Sequence, residues 1–202
     1  MHKIIPEVIL ASQSVSRKLL LERLMIPFQA IPAHIDESQL PDELPMQLVE
    51  RLSKEKALKI SKNLPPKKPV IIIGSDQVAV HDNKIYGKPG NFEKAFEQLS
   101  LFNNSTIEFI TGLYVTNLTD HYYIHEISKI KLKKLTDQQI KNYLNKDQPF
   151  ECAASFKIEG CGISLVDNIQ TDDFNAIIGL PIIKLIKILD LLGFNILDYC
   201  LL

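Results

Sequence analysis

The stretch Val70-Ile-Ile-Ile-Gly-Ser-Asp76-Gln-Val78 constrains this chain more than any other. A continuous apolar run of this kind is expected near the centre of a sheet whose two faces are both covered. Side chains alternate along a strand, so Gly74, Asp76 and Val78 share a face with Ile72. A carboxylate is thereby set into an apolar row, where it is costly unless it has a partner. Three uses follow: a metal ligand, a base, or an acceptor for buried backbone donors. A turn-capping Asp beside Gly74 is the plainer alternative.

The rest of the chain alternates strands and helices around this segment. Strands are expected at Ile4–Ala11, Pro27–Ile31, Val70–Val80 and Ile85–Lys88, with a turn at Asp82-Asn83. Ile107–Asn117 and Tyr122–Leu132 predict a β-hairpin. Helices are expected from the Ser14 N-cap to Met25, over about 45–62, over Phe92–Leu101, from the Thr136-Asp-Gln-Gln139 capping box to about Asn145, and over Pro181–Leu192 before Gly193. Pro65, Pro66 and Pro69 break the chain, and Pro149–Gly179 reads as loop-rich. The fold class is α/β, and the hairpin argues against a purely parallel sheet. No repeat or long linker divides the chain, so residues 1–202 read as a single domain.

Of the 202 residues, 46% are apolar, enough for one well-buried core. The formal net charge of −1 supplies no global field for nucleic acid or an anionic membrane, so no stable complex with either is expected. Cys152, Cys161 and Cys200 are an odd set without CxxC spacing, which points to reduced thiols. The apolar N-terminal run is interrupted by Pro6 and Glu7, too early for a signal peptide, and no run approaches the roughly 18 residues of a membrane span. A soluble, cytoplasmic protein is expected.

Several local patterns could carry chemistry. Ser12-Gln-Ser-Val-Ser-Arg-Lys18 joins a strand end to a helix start, where free N–H groups and the helix dipole favour a phosphate; a plain N-cap with two solvated cations fits equally. Val49, Leu52 and Lys56 fall at helical spacing, which puts Lys56 on an apolar stripe, either snorkelling to water or meeting an anion. Lys88, in Tyr86-Gly-Lys-Pro89, falls near the end of the strand neighbouring Asp76. Glu37 lies in the polar loop Ile35-Asp-Glu-Ser38. Phe156 and Glu159, in Ala153-Ala-Ser-Phe-Lys-Ile-Glu-Gly-Cys-Gly162, could stack on and hydrogen-bond to a base; a glycine-containing loop before a strand is the alternative. His2, His34, His81, His121 and His125 form no HExxH or Ser/His/Asp pattern, and neither GxxxxGK[ST] nor GxGxxG occurs.

Taken in order, LASQSVSRKLL, IDES, the EKA of the 45–62 helix, GSDQV, GKP, TGL at 111–113, FKIEGCGISL and IIGLPI resemble the Maf family of nucleotide pyrophosphatases over nearly the whole chain. GSDQV and SFKIEGCG are most similar to the branch acting on 7-methyl-GTP; a sister branch acts on dTTP and UTP. Val15-Ser16 stands where the family usually carries Pro and a bulky or basic residue. The resemblance implies a two-lobed, inosine-triphosphatase-like α/β fold with a long twisted mixed sheet and a central cleft. It implies hydrolysis of the α–β phosphate bond of a nucleoside triphosphate, with Mg²⁺ or Mn²⁺ as cofactor. It places Asp76 as proton acceptor beside Lys56 and Lys88, and Ser12, Ser14, Arg17 and Lys18 around the phosphates. Glu37 and Asp76 would hold the metal, while Ser16, Gln77, Glu159 and Phe156 would select the base. Oligomeric state is left open, a homodimer included. The competing readings are hydrolysis of dTTP or UTP, and a non-catalytic nucleotide-binding regulator of cell division.

Overall fold

A computed structural model describes residues 6–64 and 69–198. Residues 4 and 5 of the first expected strand, Pro65, Pro66 and Cys200 lie outside that range. The elements are β1 (Glu7–Leu10), α1 (Val15–Glu22), β2 (Phe28–Ala30), α2 (Pro45–Ser61), β3 (Val70–His81), β4 (Lys84–Tyr86), α3 (Phe92–Leu101), β5 (Thr106–Thr116), β6 (His121–Leu132), α4 (Asp137–Asp147), β7 (Val166–Gln170), α5 (Phe174–Ile178) and α6 (Ile182–Leu191).

The seven strands of the described residues form one mixed sheet in the order β2-β1-β3-β5-β6-β7, with β4 paired to β3 off that path. β1 runs parallel to β2 and β3, and the later pairs are antiparallel. The apolar run of β3 lies centrally, as its composition requires. One edge of β3 pairs with β5 from Ile72 to Val80. The other edge is bordered by β1 over Val70–Ile73 and by β4 over Ala79–His81. Between them, Gly74–Val78 faces a notch in the sheet where no strand of the described residues pairs, and Asp76 sits in its middle.

α2 covers one sheet face, packing Leu48, Val49 and Leu52 on Val78, Val80 and Ile110. Two glycines let it approach closely. A Cβ at Gly74 would lie 2.1 Å from the Ser53 carbonyl oxygen, and one at Gly112 would lie 2.5 Å from Val49 Cγ1. The opposite face carries the two larger cores. Leu20 and Leu21 of α1 with Leu185 and Leu189 of α6 pack under β1 and β3. Leu99 of α3 with Ile140 and Leu144 of α4 pack under β5 and β6.

Local signals account for most boundaries. Ser14 Oγ accepts from Arg17 N at 3.3 Å and caps α1. Thr136 and Gln139 form the expected reciprocal box on α4. In the β5–β6 turn, Asn117 Oδ1 accepts from Thr119 N and Asp120 N at 3.0 and 2.7 Å. Pro149–Gly179 corrects the loop-rich expectation: it contains β7, α5 and short 3₁₀ turns. β7 (Val-Asp-Asn-Ile-Gln) is half polar because it is an edge strand. α5 has only five residues and depends on the Asp173 cap, whose carboxylate accepts from Asn175 N at 3.0 Å and from Ile183 N at 2.6 Å. Among the described residues no helix is long and apolar enough to cross a membrane.

Candidate active site

The notch beside β3 gathers residues from four separate stretches of chain. Lys56 reaches it because α2 rests on Gly74 and Gly112, the latter paired directly with Asp76. Its ammonium nitrogen lies 2.6 Å from Asp76 Oδ1 and 2.7 Å from Glu37 Oε1. One buried cation therefore bridges two carboxylates. The Lys56 and Asp76 side chains are 8% and 9% exposed, whereas Glu37 is 59% exposed, so the cluster opens outward on the Glu37 side. The helical spacing of Lys56 and the strand alternation of Asp76 thus aim both groups at one point.

Arg17 is fixed from the other side of the sheet end. Its Nε donates to the Gly179 carbonyl at 2.8 Å. Ser75 Oγ, also within hydrogen-bonding distance of the Gly112 carbonyl, lies 3.0 Å from the same Gly179 oxygen. The turn after α5 consequently ties the guanidinium to the strand that carries Asp76. Gly179 adopts φ +123°, in the region that favours glycine. Burial pulls the Arg17 guanidinium below its ordinary value, against the opposing pull of Asp76 and Glu37. Burial pushes the Glu37 carboxyl up, but the Lys56 hydrogen bond and charge, with Arg17 and Lys88, outweigh it and hold Glu37 below its usual value. Arg17 thus feels both carboxylates, whereas Lys88 acts on Glu37.

The loop after β1 adds hydrogen-bonding groups. Ser12 is buried, and its Oγ accepts from Ser14 N at 3.1 Å. Ser16, on the first turn of α1, donates to Glu159 Oε1 at 3.1 Å, linking α1 to the late glycine-containing loop. Lys88 is exposed and pairs with Glu151 at 3.5 Å.

Three expected residues are placed elsewhere. Gln77 lies on the opposite face of β3, where its amide nitrogen approaches Thr111 Oγ1 and the Ala176 and Ile177 carbonyls at 2.8–3.0 Å. It anchors α5 rather than standing beside Asp76. Phe156 is buried against Phe109, ring centroids 5.8 Å apart, and offers no open face for stacking. Lys18 projects outward, 3.8 Å from Glu22 one turn on. Reasoning from the sequence missed Ser75 and Gly179. Ser75 adjoins the conspicuous Asp76, and Gly179 lies in IIGLPI, but nothing in either signals that they share Arg17's anchor.

Asp76 and Glu37 are hard oxygen donors converging on one cation. That suits Mg²⁺ or Mn²⁺, which binds through one or two carboxylates and completes its shell with water and phosphate oxygens. No group of three or more His, Cys, Asp or Glu side chains able to hold a metal occurs among the described residues.

Comparison with known proteins shows which family the chain belongs to. Proteins named 7-methyl-GTP pyrophosphatase from Nitrosococcus oceani, Pseudoalteromonas translucida and Vibrio parahaemolyticus are 42%, 44% and 43% identical to this chain. The alignments cover 94–95% of this chain and 94–98% of theirs. Residues 7–192 match the family described as Maf-like protein. That span contains β1 through α6, with the Lys56–Asp76–Glu37 cluster and the Arg17 anchor inside it, and the chain belongs to the Maf family.

Proposed function

We propose that this protein is a metal-dependent nucleoside-triphosphate pyrophosphatase that cleaves the α–β phosphate bond of a modified nucleotide, with 7-methyl-GTP as the preferred substrate. The observation that carries the reading is the buried ammonium of Lys56 between Asp76 and Glu37, facing an open notch beside Arg17. A carboxylate pair alone would repel a triphosphate, which carries about four negative charges at neutral pH; cations and a metal must offset them. The names of the relatives supply the substrate class.

In this reading Arg17, Lys56 and Lys88 clamp the phosphates, and the Ser12–Ser16 loop donates hydrogen bonds to them. Asp76 and Glu37 would hold the divalent ion, which supplies charge neutralisation and polarisation of phosphate oxygens. Lys56 fixes Asp76 Oδ1, leaving Oδ2 to orient a water and take its proton. The water oxygen bonds to the α-phosphorus as the bond from that phosphorus to the bridging oxygen breaks. Pyrophosphate departs with the bridging oxygen, leaving the monophosphate. Glu159, held at Ser16, accepts from the N1–H and N2–H₂ edge of the guanine.

A panel of nucleoside triphosphates with Mg²⁺ or Mn²⁺, followed by separate detection of pyrophosphate and monophosphate, tests this. The expected result is equimolar monophosphate and pyrophosphate, fastest from 7-methyl-GTP and abolished by a chelator. Preference for dTTP or UTP would reassign the substrate. Release of orthophosphate, or tight binding without product, would refute the chemistry.

A further inference from the structure

We propose that Asp147, with Tyr143 one helical turn before it, positions the loop that presents Glu159 and so sets base discrimination. This rests on the base-reading role given to Glu159 above. Asp147 is the last residue of α4, where a carboxylate meets the negative end of the helix dipole. Helix stability does not favour an acid there, but the adjoining loop uses it. Asp147 Oδ2 accepts from Gly162 N at 3.1 Å. Tyr143 lies four residues earlier and hence on the same helix face. Its buried hydroxyl donates to the Ser155 carbonyl at 3.2 Å and accepts from Lys157 N at 3.0 Å.

α4 therefore fastens both ends of the Lys157–Gly162 stretch. The stretch is closed by a bond from Gly160 N to the Lys157 carbonyl at 3.2 Å. It fits only because two of its residues lack side chains. A Cβ at Gly160 would lie 2.6 Å from Asp147 Oδ2, and one at Gly162 would lie 2.3 Å from the Lys157 carbonyl oxygen. Just before it, Ala154 and Ser155 both hold φ +56°, a left-handed conformation uncommon outside glycine. That turn is kept in place by Ala154 N donating to the Gly87 carbonyl at 3.2 Å and Ser155 Oγ donating to Gln98 at 2.6 Å. Glu159 lies between the two fastened ends, exposed, and its carboxylate meets Ser16 across the site. Beside the core packing of Ile158, the bonds from Tyr143 and Asp147 are what fix the height of the Glu159 backbone over α1. Asp147 touches no part of a nucleotide bound as proposed and acts only through the loop.

The test is a coupling experiment. Asp147→Ala, Asp147→Asn and Tyr143→Phe are made alone and in combination with Glu159→Ala, and kcat and KM are measured for 7-methyl-GTP and UTP. Asp147→Ala should lower the preference for 7-methyl-GTP about tenfold, a typical consequence of losing one charge-assisted hydrogen bond, through KM with kcat little changed. Asp147→Asn keeps an acceptor for Gly162 N–H and should restore most of the preference. On the Glu159→Ala background, Asp147→Ala should have no further effect on it. Should Asp147→Ala not fold, Tyr143→Phe is read by the same cycle. If Glu159→Ala changes the preference and neither Asp147→Ala nor Tyr143→Phe does, or if their effects persist in full without Glu159, the inference is overturned while the Glu159 reading stands. If Glu159→Ala itself leaves the preference unchanged, that reading fails and the inference with it.

Discussion

Replacing Gly74 by Ala tests how the site is assembled. The new Cβ would lie 2.1 Å from the Ser53 carbonyl oxygen and 3.1 Å from Ala57 Cβ. The first of these is backbone, so no rotamer change relieves it. Ordinary contact begins at 3.4 Å, so α2 must move off the sheet by about 1.3 Å. Overpacking of this kind costs ~1–3 kcal/mol, against ~0.4–1 kcal/mol recovered by restricting the unfolded chain. A net loss of about 1–2 kcal/mol should lower the melting temperature by roughly 2–8 °C in a protein of this size. The effect on turnover should be out of proportion. Lys56 is one turn beyond Ser53, so the same displacement takes its ammonium away from Asp76 Oδ1, and a misplacement near 1 Å can cost about 10²-fold in rate. Thermal melts beside pyrophosphate release under saturating substrate read both quantities. Gly87→Ala is the stability control, since nothing lies within 4 Å of its added Cβ. A Gly74→Ala protein that melts and turns over like the parent would refute close helix–strand approach as the basis of the site.

Lys56→Met should destabilise by ~3–5 kcal/mol at neutral pH, because Asp76 is left buried without its cation; adding Asp76→Asn to it should recover stability, as denaturant melts would show. Glu126, buried against Lys184 at 2.6 Å, also accepts from Asp172 N at 2.9 Å and fixes the chain leading into α5. Burial pushes its carboxyl up, but Lys184, Asp172 N and Thr171 outweigh burial and hold it below the ordinary range. A lowered folded value means stability present above the unfolded value, about pH 4.3, and lost as pH falls through the folded one. Glu126→Gln should thus be clearly less stable than the parent at pH 7, with the gap narrowing towards pH 3 in urea titrations.

Much of this arrangement is legible in the sequence, for physical reasons that differ by residue. Ser14, Thr136 and Gln139 cap the helices they announce, because capping is a local bond between near neighbours. Lys56 and Asp76 each break an apolar periodicity, which shows the face they occupy and that each needs a partner. Periodicity does not say what stands on the far side. Gln77 follows Asp76 by one residue and so belongs to the opposite face, where α5 claims its amide. Phe156 reads equally as a stacking ring or a core ring until Phe109 is placed against it. α5 and β7 escape local reading because each is held by distant groups: α5 by Gln77 and the Asp173 cap, β7 by the edge of β6. Nothing local to Gly179 or Ser75 signals their link to Arg17, since the Gly179 carbonyl accepts from Arg17 and Ser75 across the fold.

Substitution of Asp76 by Asn bears most directly on the claim that the bridged carboxylate drives hydrolysis. Single-turnover pyrophosphate release and equilibrium binding of 7-methyl-GTP would be measured on the same Mg²⁺-containing protein. The predicted result is a rate lower by ~10²- to 10⁴-fold with affinity largely retained. Near-normal turnover in Asp76→Asn would contradict it.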